Sequence, residues 1–350
     1  MKRLVCFLSF SIVACGPGLE APCEDEACSF LEEFDAGEPA ADGGTDAGLS
    51  PADAGTSVPS PPDAGACAPY TETLPSRSAP LAAYSYNGQN LREYVLAVLK
   101  ERYPLGHSLA SRAPTSRFNC IELFAQKSSQ TAVLRSLSTV VHECGHVLDL
   151  SLSSGRTSAY VIRDDLQLDC RSGDTTTRGG KTFARSLITR DAYSARRPPC
   201  NGASRAGCDS YADIYLDGDP ANTQFESGDQ GFAMLPEEAV QYVNSLATGY
   251  AFVDQLGSSR ISEKDGILTF QWYLERYLRM ARIDYPQAYD FLATDSCWRE
   301  AIATVWNRAE FYLAATKNEA RLGIDAAALE TLVRDPQLLA EMGPFLQCRP

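Results

Sequence analysis

VVHECGHVLDL, residues 140–150, holds two of the three histidines in a chain of 350 residues. His142 and His146 stand four apart, and Glu143 follows the first directly. On a helix a four-residue step returns two side chains to one face, about 40° apart around the axis. Both imidazoles can then grip one metal ion. The surrounding pattern predicts that helix over 129–150. Val133, Leu134, Leu137, Val140, Val141, Cys144, Val147 and Leu148 form one apolar stripe at 3.6-residue spacing. His142, His146 and Asp149 fall on the opposite side, with Glu143 on the flank. One face is thus expected to pack into a core while the other offers two imidazoles to a cleft.

Outward from this helix, residues 90–103 read as an amphipathic helix, and FNCIELFAQ (118–126) as a short strand. Residues 170–235 are rich in Gly, Arg, Asp and Thr and read as a long loop region, of a kind often functional in a folded domain. Helices are expected again over 236–254, 262–282, 286–317 with a break, and 325–347. The expected fold class is α+β, helix-dominated, with a small sheet.

The stretch 140–150 resembles the active-site helix of zincin metallopeptidases. The resemblance is confined to this helix and one downstream segment. It implies one zinc ion, Glu143 as general base toward a metal-bound water, and attack on a peptide carbonyl. Catalytic zinc takes three protein ligands, so a third is needed. The longer metzincin pattern is absent, since Asp149 and Leu152 stand where its glycine and third histidine would be. No histidine follows His146, which leaves a carboxylate. LPEEAVQYVNSL (235–246) resembles the second ligand helix of gluzincins, and that resemblance points to Glu238, with Glu237 as the alternative. Glu237 would have Gln241 four residues on as its partner. Helical phase does not separate the two glutamates. Acids after a proline also favour a helix start, a role compatible with ligation.

Asp149 reads as an acceptor for a histidine N–H rather than as a ligand. His107 reads as an ordinary loop histidine. Tyr211, Tyr215 and Tyr242, with several arginines of the long loop, are available to stabilise an oxyanion, and spacing singles out none of them. Cys144 lies on the apolar side of the helix, either bridged or a buried thiol.

The N-terminus, MKRLVCFLSFSIVAC, has a basic start and an apolar core too short to span a bilayer as a mature helix. Its Ile12-Val13-Ala14-Cys15 end resembles the lipobox of bacterial lipoproteins. That resemblance implies removal of residues 1–14, lipidation of Cys15 and, with Gly16 next, outer-membrane sorting. Residues 15–67 repeat Asp-Ala-Gly among Pro, Ser, Thr and Glu and read as a disordered acidic tether, with a reach of about 40 Å. Residues 68–350 are expected to form one catalytic domain. Twelve cysteines without a CxxC pair favour disulfides in an oxidising compartment. The net charge of −14 argues against nucleic acid as a partner.

Together these observations predict a lipid-anchored zinc metallopeptidase acting on protein or peptide substrates, as an endopeptidase before an exopeptidase. A zinc hydrolase of another amide or ester bond is the enzymatic alternative. A non-catalytic surface-binding lipoprotein on a degenerate zincin scaffold is the other.

Overall fold

The computed structural model describes residues 70–116, 118–154, 157–171, 183–203, 205–218 and 230–346. The signal segment, Cys15 and the tether lie outside the described residues.

The first helices follow their apolar periodicity. α1 (Leu91–Arg102) buries Leu91, Tyr94, Val95, Val98 and Leu99, and α2 (Pro104–Arg112) starts on a proline, whose missing N–H is no loss at a first helical position. FNCIELFAQ is helical, not a strand: α3 spans Cys120–Phe124. The Asn119 side chain accepts from the Glu122 N–H at 3.3 Å and caps it, a local signal that outweighs the apolar content of so short a run.

The helix expected over 129–150 is two, α4 (Gln130–Arg135) and α5 (Leu137–Leu152). They meet at Ser136, whose hydroxyl donates to the Val133 carbonyl at 2.9 Å and accepts the Gln126 N–H at 3.0 Å. Such back-bonding competes with the helix ladder. The apolar stripe of α5 is buried, and Cys144 within it is joined to Cys120 of α3.

After α5 the chain forms an antiparallel hairpin, β1 (Thr157–Arg163) and β2 (Leu166–Arg171), the small sheet of this helix-dominated α+β fold. The Val161 N–H donates to Asp149 Oδ1 at 3.0 Å, tying β1 to α5, and the Tyr160 hydroxyl donates to the Ala233 carbonyl at 2.9 Å. Cys170–Cys297 fixes β2 to a later helix. The long loop region carries a short helix, α6 (Ala212–Tyr215), and 3-10 turns at Arg185–Arg190 and Ala192–Arg196. Cys200–Cys208 closes a small loop there.

The centre is made by α7 (Met234–Ala251) and α8 (Glu263–Asp284). α7 is buried along its whole length except at Met234 and Tyr250, which is why its sequence carries few charges and many small residues. α9 (Pro286–Thr294) and α10 (Ser296–Ala315) meet at Asp295, whose carboxylate accepts the Cys297 and Trp298 N–H groups and caps α10. The expected 325–347 helix is likewise two, α11 (Ala326–Val333) and α12 (Pro336–Leu346), because Pro336 disfavours helical backbone at the residue before it.

α8 also buries Glu275, whose two carboxylate oxygens have no hydrogen-bond partner among the described residues. Burial pushes this carboxyl up to about 9 from an ordinary 4.5, against the nearby Arg334. A raised carboxyl pKa contributes stability that is complete below 4.5 and is lost as pH rises toward 9. Glu275→Gln is therefore expected to raise the melting temperature at pH 8 while leaving it unchanged at pH 4. An equal effect at both pH values would show that ionisation of Glu275 plays no part.

Candidate metal centre

The face of α5 opposite its apolar stripe carries the two histidines. It packs against α7, and the contact is polar on both sides. From α5 come His142, Glu143, His146 and Asp149; from α7 come Glu237, Glu238, Gln241, Tyr242, Asn244 and Ser245, recurring at steps of three and four. Nearly all are buried, so each needs a partner between the helices.

Gly145 permits the approach. A Cβ at this position would stand 1.8 Å from Gln241 Oε1 and 2.6 Å from its Cδ. The Gln241 amide fills the space instead, donating to Asp149 Oδ2 at 2.9 Å and to Glu237 Oε1 at 3.3 Å.

His142 Nε2 and His146 Nε2 converge to 2.8 Å, and Glu238 Oε2 lies 3.6 Å from the first and 3.4 Å from the second. His142, His146 and Glu238 are the one cluster among the described residues with ligand atoms close enough to share a metal ion. The outer nitrogens are held as well. His142 Nδ1 lies 3.0 Å from Ser245 Oγ, and His146 Nδ1 lies 2.8 and 2.6 Å from the two Glu237 oxygens. These contacts aim both Nε2 atoms inward, as orienting partners of metal-bound imidazoles do.

The donor set fits zinc. Bonds of about 2.0–2.1 Å in a tetrahedron set ligand atoms about 3.3 Å apart, close to both Glu238 separations, and the imidazole pair need open by only about half an ångström. Glu238 Oε2 is buried without a hydrogen-bond partner among the described residues, an acceptor aimed at the point between the imidazoles. Charge points the same way. Burial opposes ionisation of Glu238, but His146 and His142 hold its carboxyl far below the usual range. Burial also opposes a charged His146, and Glu237 and Glu238 outweigh it, raising its pKa well above normal. The cluster thus attracts positive charge, which a proton or a metal ion can supply. One zinc ion per chain can be coordinated here, in the His-Glu-x-x-His plus distal Glu arrangement of a zincin-type active site.

The two glutamates left open by the sequence have separate places: Glu238 faces the metal position, and Glu237 stands behind His146. Asp149, expected beside a histidine N–H, instead takes the Gln241 amide and the Val161 N–H; burial and then Glu237 raise its carboxyl pKa. His107 lies on α2, outside the cluster. The Tyr242 ring meets the His142 ring edge-on at 4.7 Å, and its hydroxyl lies 3.1 Å from that of Tyr215. Gly266 of α8 leaves room for that ring, since a Cβ there would come within 2.1 Å of it.

Sequence reasoning missed Ser245 and Asn244, and did not single out Arg185 among the arginines of the long loop. The first two carried a usable signal, lying seven residues after Glu238 and Glu237 on the same helical faces. Arg185 carried none. It is fully buried, donates to the Tyr215 carbonyl at 2.8 Å and the Met234 carbonyl at 3.4 Å, and brings positive charge toward Glu238 and Glu237.

Comparison of the chain with protein-family models, with curated proteins and with solved structures gave no match.

Two substitutions separate the glutamates. Glu238→Ala is expected to abolish stoichiometric zinc binding in equilibrium dialysis, whereas Glu237→Gln should retain one zinc with affinity lowered about 10–100-fold. The reverse pattern would exchange their roles. Gly145→Ala should displace Gln241, destabilise the protein by about 1–3 kcal/mol and weaken zinc; a wild-type urea midpoint would show that the helices are free to move apart.

Proposed function

We propose that this chain is a zinc-dependent metallopeptidase that hydrolyses peptide bonds at the cell envelope. One observation carries the reading: α5 and α7 bring together a three-ligand set, with Glu143 adjacent to the first ligand and outside that set. Three protein ligands leave a coordination position for reactants, where a structural zinc site would close with four.

Zinc held by His142, His146 and Glu238 would supply Lewis acidity toward a carbonyl oxygen and lower the pKa of a water molecule. The chain's own residues do the rest. Glu143 accepts the proton of the attacking water and returns it to the leaving amine. Glu237 and Ser245 fix the imidazoles through their Nδ1 atoms, so that no reorientation is needed during turnover. Glu238 adds negative charge that lets a buried dication sit between two neutral imidazoles.

The setting follows from the remaining sequence features. Residues 1–14 would be removed as a lipoprotein signal, Cys15 lipidated at the outer membrane, and 15–67 would serve as a tether. Residues 68–350 would be the catalytic unit. The described residues contain three disulfides, which fits an oxidising compartment. No helix among them is long and apolar enough to cross a membrane, and the lipid would supply the anchorage.

The reading is tested with Glu143→Ala on internally quenched peptides blocked at both ends, which report endopeptidase activity alone. The variant is expected to keep one zinc and lose activity on the order of a hundredfold or more. Wild-type rates in that variant would remove Glu143 from the mechanism. Cleavage confined to peptides with free ends would make the enzyme an exopeptidase.

A further inference from the structure

The hydrogen bonding behind His146 does not stop at Gln241. The Asn244 Nδ2 amide donates to Gln241 Oε1 at 2.9 Å, the Tyr103 hydroxyl donates to Asn244 Oδ1 at 3.2 Å, and Arg308 Nη2 donates to the Tyr103 oxygen at 3.4 Å. Arg308 Nε in turn donates to Glu72 at 2.9 Å, and Glu72 also accepts from the Tyr312 and Tyr70 hydroxyls. Gln241 and Asn244 are fully buried, and Tyr103 and Arg308 nearly so. Water has no easy route to replace a missing member.

The chain has a single sense. From Arg308 through Tyr103, Asn244 and Gln241, every donor points toward the Glu237 carboxylate, which also receives His146. Bonds aligned in this way polarise one another. Sense matters because each amide has two orientations. Were Asn244 reversed, its oxygen would face the Gln241 oxygen. Were Gln241 then reversed to relieve that contact, its oxygen would face the Asp149 and Glu237 carboxylates. The orientation of one buried amide therefore decides whether Glu237 is held by a donor or pushed by an acceptor.

We propose that Tyr103, held by Arg308 and Glu72, is a positioning residue for the metal ligand His146: its hydroxyl fixes the sense of the Asn244 and Gln241 amides, and so the place of Glu237. Glu72 lies just inside the N-terminal edge of the described residues, 165 positions before Glu237, yet belongs to the same hydrogen-bonded network. This positioning role rests on the zinc reading of the metal centre but not on peptidase activity.

The test uses the full chain and three variants, Tyr103→Phe, Glu72→Gln and Tyr273→Phe. Tyr273 is a buried tyrosine whose hydroxyl donates to Asp209 at 2.6 Å, outside this network. Zinc affinity is read by chelator competition and ligand geometry by the visible absorption of the cobalt-substituted protein. Tyr103→Phe and Glu72→Gln are each expected to weaken zinc about tenfold and to shift the cobalt bands. Tyr273→Phe should lower the melting temperature and leave both metal readouts unchanged. Adding Tyr103→Phe to Glu237→Gln should weaken zinc no further, because the carboxylate being positioned is already gone.

Tyr103→Phe and Glu72→Gln binding zinc like the wild type, with only a melting shift like that of Tyr273→Phe, would reduce the network to a structural one and overturn the proposal. So would full additivity with Glu237→Gln. A wild-type protein that retains no zinc would instead overturn the metal reading itself, and this inference with it. If Tyr103→Phe does not fold, the Glu72→Gln result decides.

Discussion

Two helices that meet through polar faces set the terms for everything else in this structure. Burying His142, Glu143, Asp149, Glu237 and Glu238 beside the largely covered His146 is unfavourable unless each group finds a partner. Gly145 allows the backbones to come close enough for Gln241 to bridge two carboxylates. Glu238 Oε2 is left facing two imidazoles with no other hydrogen-bond partner among the described residues. A cation is the partner that completes the set, so the energetics of the helix pair and the chemistry of the site are one problem.

The rest of the fold serves this contact. The hairpin supports the end of α5 through Asp149 and the start of α7 through Ala233, which are the points where the ligands sit. Arg185 reaches the first turn of α7 and brings positive charge near its glutamate pair. α8 backs α7 from the far side, with Gly266 shaped to the Tyr242 ring that leans on His142. Tyr211 and Tyr215 complete an aromatic wall there.

What could be read from the sequence was what depends on short spacing. His142, Glu143 and His146 lie within five residues, and the stripe beside them specifies the helix that presents them. Glu238 emerged from resemblance, and only the packing of α7 on α5 separates it from Glu237. The helix break at Pro336 follows from proline chemistry, whereas the break at Ser136 comes from a hydroxyl that bonds back into its own turn, which the sequence alone does not specify. FNCIELFAQ is a helix rather than a strand because the five residues of α3 are too few for periodicity to outvote a cap. The network behind Glu237 is illegible in the sequence for a different reason. Tyr103, Asn244, Arg308 and Glu72 are brought together across separations of 141, 205 and 236 residues, and no local pattern encodes such a meeting.

The bond between Cys170 and Cys297 has a topological consequence for the metal centre. It closes a covalent ring of chain that contains all of α7 and α8, with α5 attached just before the ring begins. A ring of this size restricts the unfolded ensemble substantially. The two halves of the ligand set, far apart in sequence, thus remain leashed to one another even when the helices come apart. Separation of α5 from α7 therefore need not scatter the residues able to hold an ion, because the ring limits how far Glu238 can drift from the two histidines.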